Sequence, residues 1–208
     1  MTETLSRREE NRLARRASIV AIARDAFLDH GYAATSMSTI AAQLGGSKGT
    51  LWAYFPSKEE LFAAVLDDLT AAFRADIEEA LRPGRSLRAA LLYFCESFLR
   101  KVMAPNAVQL HRLIIAEVDR FPEIGPLFYE RGPKLVTDSL TAYLAEQMDE
   151  GLLRQADPVR AASQLTDLVK GPQTSRLWGI ARNCGAHDIR AHAATSVDLF
   201  MRGYAPDQ

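Results

Sequence analysis

The 208 residues carry 25 Lys/Arg against 26 Asp/Glu, a net charge of −1, so total charge points to no polyanion partner, and the length buries a core without help from disulfides. The opening run MTETLSRREENRLARR is charged throughout and no stretch of about 20 apolar residues occurs, which excludes a signal peptide and a spanning helix on ordinary criteria and sets the expectation of a cytoplasmic protein. The charge is unevenly placed: residues 1–58 hold eight Lys/Arg and five acids, whereas residues 59–208 hold 17 and 21, an asymmetry that points mildly to nucleic acid at the basic end.

Apolar residues recur at helical spacing and alternating runs are missing, so the chain reads as all-α. Ile19, Ile22, Ala23, Ala26 and Phe27 form one stripe of a first helix over about 9–30, stopped where Gly31 can take a left-handed conformation. Two short helices follow, Ser36 to Leu44 and Ser47 to Phe55, each opened by a serine that can accept a bond from the free N–H groups of the first turn. Ser57 and Glu60 form a capping-box pattern at the start of a long helix whose stripe of Leu61, Phe62, Val65, Leu66, Leu69, Phe73, Ile77 and Leu81 runs to Pro83-Gly84. Further helices are expected over Ser86 to Met103, about 106–118 and about 123–149. Asp157-Pro158, an N-cap followed by proline at the first helical position, opens another to about Trp178, and a last one covers about 186–204.

The segment SMSTIAAQLGGSKGTLWAYF carries the most information. Two helices of two turns, joined at Leu44-Gly45-Gly46 and sharing Ile40, Ala41, Leu44 and Leu51 as a small core, have the size of a DNA-binding helix-turn-helix at about 36–55. The second is too short and polar to serve as core, and its N-terminus suits a phosphate. The same pattern also fits a capped turn between packed helices.

The run ATSMSTIAAQLGGSKGTLWAYFPSKEELF closely resembles the signature of the tetracycline-repressor (TetR) family, over roughly residues 15–65. Gly46 departs from the usual Val or Ile, and Trp52 from the usual Tyr. The resemblance implies an N-terminal three-helix DNA-binding domain at 1–58 and a C-terminal helical domain at 59–208 for effector binding and dimerisation. It maps DNA contacts onto Ser36, Ser38, Thr39, Lys48, Gly49, Thr50, Trp52, Tyr54 and Lys58. Lys48 and Lys58 suit phosphate neutralisation, Tyr54 a phenolic bond to phosphate, and Thr50 or Trp52 base edges or thymine methyls, with packing under the motif as the alternative for Trp52.

For an apolar or aromatic effector the candidates are Tyr93, Phe94, Phe98, His111, Phe128, Gln173 and Trp178, with Glu117 on the same helix as His111; core packing is the ordinary role of such aromatics. No cofactor is expected. Cys95 and Cys184 lack CxxC spacing, and Cys184, His187 and His192 match no standard metal set. The expected partners are double-stranded operator DNA, a small-molecule effector and a second copy of the chain. The copies would pair through the faces Leu165, Leu168, Val169 and Ile189, Val197, Phe200 of the last helices, making a palindromic operator. A regulator without a small-molecule effector is the alternative; an α-helical enzyme would need a catalytic set that the sequence lacks.

Overall fold

The computed structural model describes residues 6–45, 48–180 and 185–206. Among these, the regular elements are all α-helices: α1 Arg7–Ala34, α2 Met37–Gln43, α3 Lys48–Tyr54, α4 Lys58–Ala80, α5 Leu87–Val102, α6 Pro105–Glu117, α7 Ile124–Arg131, α8 Pro133–Asp149, α9 Pro158–Val169, α10 Gly171–Leu177 and α11 Ala186–Gly203.

Side-chain caps set several of the starts. Ser36 and Ser86 accept from the N–H groups of Thr39 and Ala89, and Asp157 accepts from Val159 and Arg160 ahead of Pro158. Ser57 receives the Glu60 N–H at 3.1 Å at the head of α4. Two helices expected to be continuous are each broken in two. The stretch 123–149 divides at Gly132, ahead of Pro133, into α7 and α8, and 158–178 divides at Lys170, ahead of Gly171-Pro172, into α9 and α10. Each break has a proline in the first turn of the following helix, where its missing N–H interrupts the ladder from the helix before.

The first helix also runs further than expected, from a cap at Ser6 to Ala34, with an internal break at Gly31 (φ 85°, ψ 171°). That backbone setting is open to glycine and costly for other residues. Thr35 closes the break by donating its hydroxyl to the carbonyls of Ala26, at 3.0 Å, and Gly31, at 2.8 Å.

The chain divides into two compact units. The first holds residues 1–69 with 113–128, and the second holds residues 70–112 with 129–208. This packing division differs from the functional division expected at residue 58, because the first half of α4 and the segment 113–128 share the first unit's core. That core joins Ile19, Ala23 and Phe27 of α1 to Ile40, Leu51, Phe55, Leu61 and Phe62, all buried.

The second unit buries the inner stripes of α5, α8, α9 and α11 together: Leu91, Phe94, Leu99, Leu140, Leu144, Leu165, Val169, Val197 and Phe200 among them. The stripes expected to meet a second chain are therefore largely spent inside one chain. Leu165, Val169, Ile189, Val197 and Phe200 are core, and of the six only Leu168 is exposed, at 40%. Periodicity marks an apolar face without saying which partner covers it.

A candidate nucleic-acid interface on α2 and α3

Seven-residue helices are unstable alone, because a costly first turn is repaid by few further hydrogen bonds. Here packing holds them. Met37, Ile40 and Ala41 of α2 are buried, as are Leu51 of α3 and Phe55 just beyond it, and the methyl side chain of Ala41 suits a close helix crossing. Two arginines of α1 add to the support. Arg15 donates to the carbonyl of Leu44 at 3.4 Å, and the Arg16 guanidinium lies 5.0 Å from the centre of the Phe55 ring.

With those side chains turned inward, most of the other described side chains of both helices face solvent. Ser36, Ser38, Thr39, Gly49, Thr50 and Trp52 are exposed and Tyr54 is half-buried. Trp52 is 47% exposed, which favours the surface reading over packing under the motif. The face thus offers hydroxyls, an indole N–H and a phenol, the donors that meet phosphate oxygens and base edges. Ser36 is also structural: its Oγ receives the Thr39 N–H at 3.1 Å and lies 2.8 Å from the Thr39 hydroxyl. Gly46 and Ser47 lie outside the described residues, as does the side chain of Lys48.

Lys58, expected at a phosphate, packs against aromatic rings in the DNA-free chain. Its ammonium lies 4.1 Å from the centre of the Tyr32 ring and 5.7 Å from that of Phe121. Burial lowers its pKa, opposed by the charges of Glu117, Glu59 and Glu123. Tyr32 is itself enclosed. Its ring meets Phe27, Phe62 and Phe121 at 5.7, 5.1 and 5.2 Å, its hydroxyl donates to Glu59 at 3.3 Å, and burial followed by the Glu59 charge raises its pKa. These aromatic neighbours, one of them far along the chain, leave no signal in the sequence around Lys58.

Glu117, on the same helix as His111, is engaged by the backbone of α1. Its two carboxylate oxygens accept the backbone N–H groups of Tyr32 and Ala33, each at 2.6 Å. No local sequence signal marks that pairing.

The residues proposed for an effector fall into separate groups. Phe94 and Phe98 stack at 5.9 Å and Phe73 joins them at 6.1 Å, all within the second unit's core. His111 and Gln173 do meet: the His111 Nε2 lies 3.4 Å from the Gln173 amide nitrogen, which also donates to the Val102 carbonyl at 3.4 Å. The His111 Nδ1 lies 2.8 Å from the Ala107 carbonyl, so a proton on Nδ1 leaves Nε2 as the acceptor for Gln173. Burial lowers the pKa of His111, the bond to Ala107 opposes this, and the Lys170 charge adds to the lowering.

Tyr93 and Trp178 are instead exposed, at 40% and 72%, and Arg85 lies 4.6 Å from the centre of the Tyr93 ring. Phe128 is half-buried and belongs to the first unit. Within the second unit the other six divide between the core (Phe94, Phe98), the contact of His111 with Gln173, and the surface (Tyr93, Trp178). A depression of about 230 Å³ on α1 and α2 holds Asp25 and Asp29 along with Ile22 and Ala26, so its charge is wrong for phosphate. Among the described residues no group of three or more His, Cys, Asp or Glu could hold a metal ion, and no helix is long and apolar enough to cross a membrane; Cys184 lies outside those residues.

The family model for bacterial regulatory proteins of the tetR family matches residues 19–65, and that for the C-terminal domain of AefR-like transcriptional repressors matches residues 89–206. A TetR-family transcriptional regulator from Mesorhizobium loti superposes with a TM-score of 0.81 at 28% identity, over 93% of this chain and 98% of that one. The flavonoid-responsive regulator FrrA is similar, with a TM-score of 0.79 and 31% identity over 94% of this chain and 99% of its own. YhgD of Bacillus subtilis, an uncharacterized HTH-type transcriptional regulator, is 26% identical over 149 residues, 69% of this chain and 74% of YhgD. With its helix-turn-helix and its C-terminal helices both matched, the chain belongs to the TetR family of transcriptional regulators.

Proposed function

We propose that this regulator is a homodimeric repressor that binds a palindromic operator through α2 and α3 and releases it on binding an apolar or aromatic small molecule. The observation that carries the DNA half is the division of α2 and α3 into a buried side and a side of exposed hydroxyl and aromatic groups, supported from behind by Arg15 and Arg16. Ser38, Thr39, Gly49, Thr50, Trp52 and Tyr54 supply the contacts, with Lys48 at the head of α3 neutralising a phosphate. A regulator of this kind works at the chromosome, hence in the cytoplasm, and catalyses no reaction.

The likeness to FrrA along nearly the whole of both chains supports a responsive C-terminal domain and favours planar aromatic compounds as the effector class. The repressor direction has the support of the family description matched over 89–206. His111 and Gln173, polar groups set among apolar helices, are the candidates to orient such a ligand.

Titrating flavonoids and simpler planar aromatics into the full chain, with and without operator duplex, tests this reading. An inducer must bind the DNA-free protein more tightly, by about 1 to 3 kcal/mol of coupling. Equal affinities in the two titrations rule a compound out however tightly it binds, and a panel without one inducer would leave the chain a regulator of another effector class.

A further inference from the structure

We propose that Glu117 is a positioning residue for DNA binding, which holds the turn between α1 and α2 and thereby fixes where the DNA-facing end of α2 begins. The proposal rests on α2 and α3 being the surface that meets DNA.

At Gly31 the helical ladder of α1 is interrupted by a backbone setting of φ 85° and ψ 171°, after which residues 32–34 resume a helical turn. The start of a helical turn carries N–H groups with no partner of their own. Two of them, on Tyr32 and Ala33, point at one carboxylate that arrives from 85 positions further along the chain, and each oxygen takes one at 2.6 Å. A paired acceptor of fixed spacing selects a single orientation of that turn, which water could satisfy without selecting.

The glycine and the glutamate also fit one another sterically. A Cβ at residue 31 would stand 2.5 Å from the Glu117 Oε1, so the residue that permits the backbone angle also makes room for the carboxylate. The Tyr32 side chain adds a second restraint through Lys58, Phe121 and Glu59. Thr35 then closes the kink, and Ser36 opens α2 with its cap on Thr39. Only these few residues separate the carboxylate's grip from Ser36 and Ser38, so little slack remains to absorb a shift.

The test uses the full chain and a duplex selected by the wild-type protein from a random pool. Glu117→Gln keeps the size of the side chain while turning one acceptor into a donor that faces an N–H. Removing a negative charge should by itself strengthen DNA binding slightly, so electrostatics and positioning predict opposite signs. Positioning predicts that the folded variant binds the selected duplex at least tenfold more weakly, with its affinity for unrelated duplex unchanged or slightly raised and the salt slope unchanged.

Tyr54→Phe and Thr50→Ala, measured beside it, separate the two possible failures. If both leave binding unchanged, it is the α2–α3 surface that fails. If they weaken binding while Glu117→Gln, well below its melting temperature, binds as well as wild type, Glu117 is a structural residue only and the proposal is overturned. Should the variant not fold, hydrogen exchange on the wild-type protein decides. The amides of Tyr32 and Ala33 must be protected to the same degree as those of α2, and exchange at the rate of an open turn overturns the proposal.

Discussion

The ammonium of Lys58 lies 4.1 Å from the centre of the Tyr32 ring, so the first residue of α4 is held against the last turn of α1. Two influences on that charge oppose each other. The nearby carboxylates favour the charged form, while burial, the larger influence, disfavours it and lowers the pKa.

Replacing the lysine by methionine should therefore keep the packed stem, with the lost attraction to the ring and carboxylates offset by the burial penalty removed. Lys58→Met is expected to melt within about 0.5 kcal/mol of wild type, or above it, and to bind operator with an unchanged salt slope. Anisotropy titrations at several salt concentrations check this. A slope reduced by about one counterion would return Lys58 to the phosphate contacts.

Leu51 is buried between the short helices and their support, so its truncation should leave a cavity where α3 has little else to hold it. Leu51→Ala is expected to cost about 2 to 5 kcal/mol locally. Because Leu51 belongs to the first unit, operator binding should be lost while the second unit retains its cooperative melting, seen by hydrogen exchange as selective deprotection of α2 and α3.

His111 gives the chain an acid-side dependence of stability. Its pKa in the folded protein lies below the ordinary 6.5, chiefly through burial, so the unfolded chain takes up the proton first as pH falls. Stability is full above that ordinary value and declines as pH drops from it toward the lower folded value. Melting temperatures between about pH 7.5 and 5.5 should fall less steeply for His111→Gln than for wild type. Parallel curves would place the titrating group elsewhere.

Leu199 is 53% exposed on α11, beside a stripe that is already core. If two chains pair through their C-terminal helices, Leu199→Arg should weaken the dimer at least about tenfold (about 1.4 kcal/mol) without unfolding the monomer. Val197→Ala, at a fully buried position, should instead lower the melting temperature of each chain. Sedimentation velocity over a concentration series separates the two outcomes; an unaltered dimer with Leu199→Arg would exclude this face.

Helix type and most helix starts were legible because they depend on local chemistry. Ser36, Ser86 and Asp157-Pro158 cap the turns that they begin. The breaks ahead of Pro133 and Gly171-Pro172 had a local signal too, but a continuous apolar stripe obscured it. The buried side of α2 and α3, Ile40, Ala41 and Leu51, followed from helical spacing, whereas the exposed set was named by the resemblance to the TetR signature.

What could not be read was long-range pairing. Nothing near Glu117 marks Tyr32 as its partner, nothing near Lys58 marks Phe121, and the inner faces of α9 and α11 carry the same pattern whether they meet each other or a second chain. Nor does helical spacing tell which aromatics are enclosed: Phe94 and Phe98 lie in the core while Trp178 is exposed.

Recovering the preferred duplex from a random pool with the full-length chain, then measuring its salt-dependent affinity for wild type, Lys48→Ala and Tyr54→Phe, tests the central claim most directly. The recovered sequence should be an inverted repeat with half-sites one helical turn apart or a multiple of it, about 10 base pairs or more from centre to centre. Lys48→Ala should lower the salt slope by about one, and Tyr54→Phe should weaken binding several-fold, about 1 kcal/mol, at an unchanged slope. A pool without enrichment, or affinity and slope unchanged in both variants, would contradict recognition of DNA through α3.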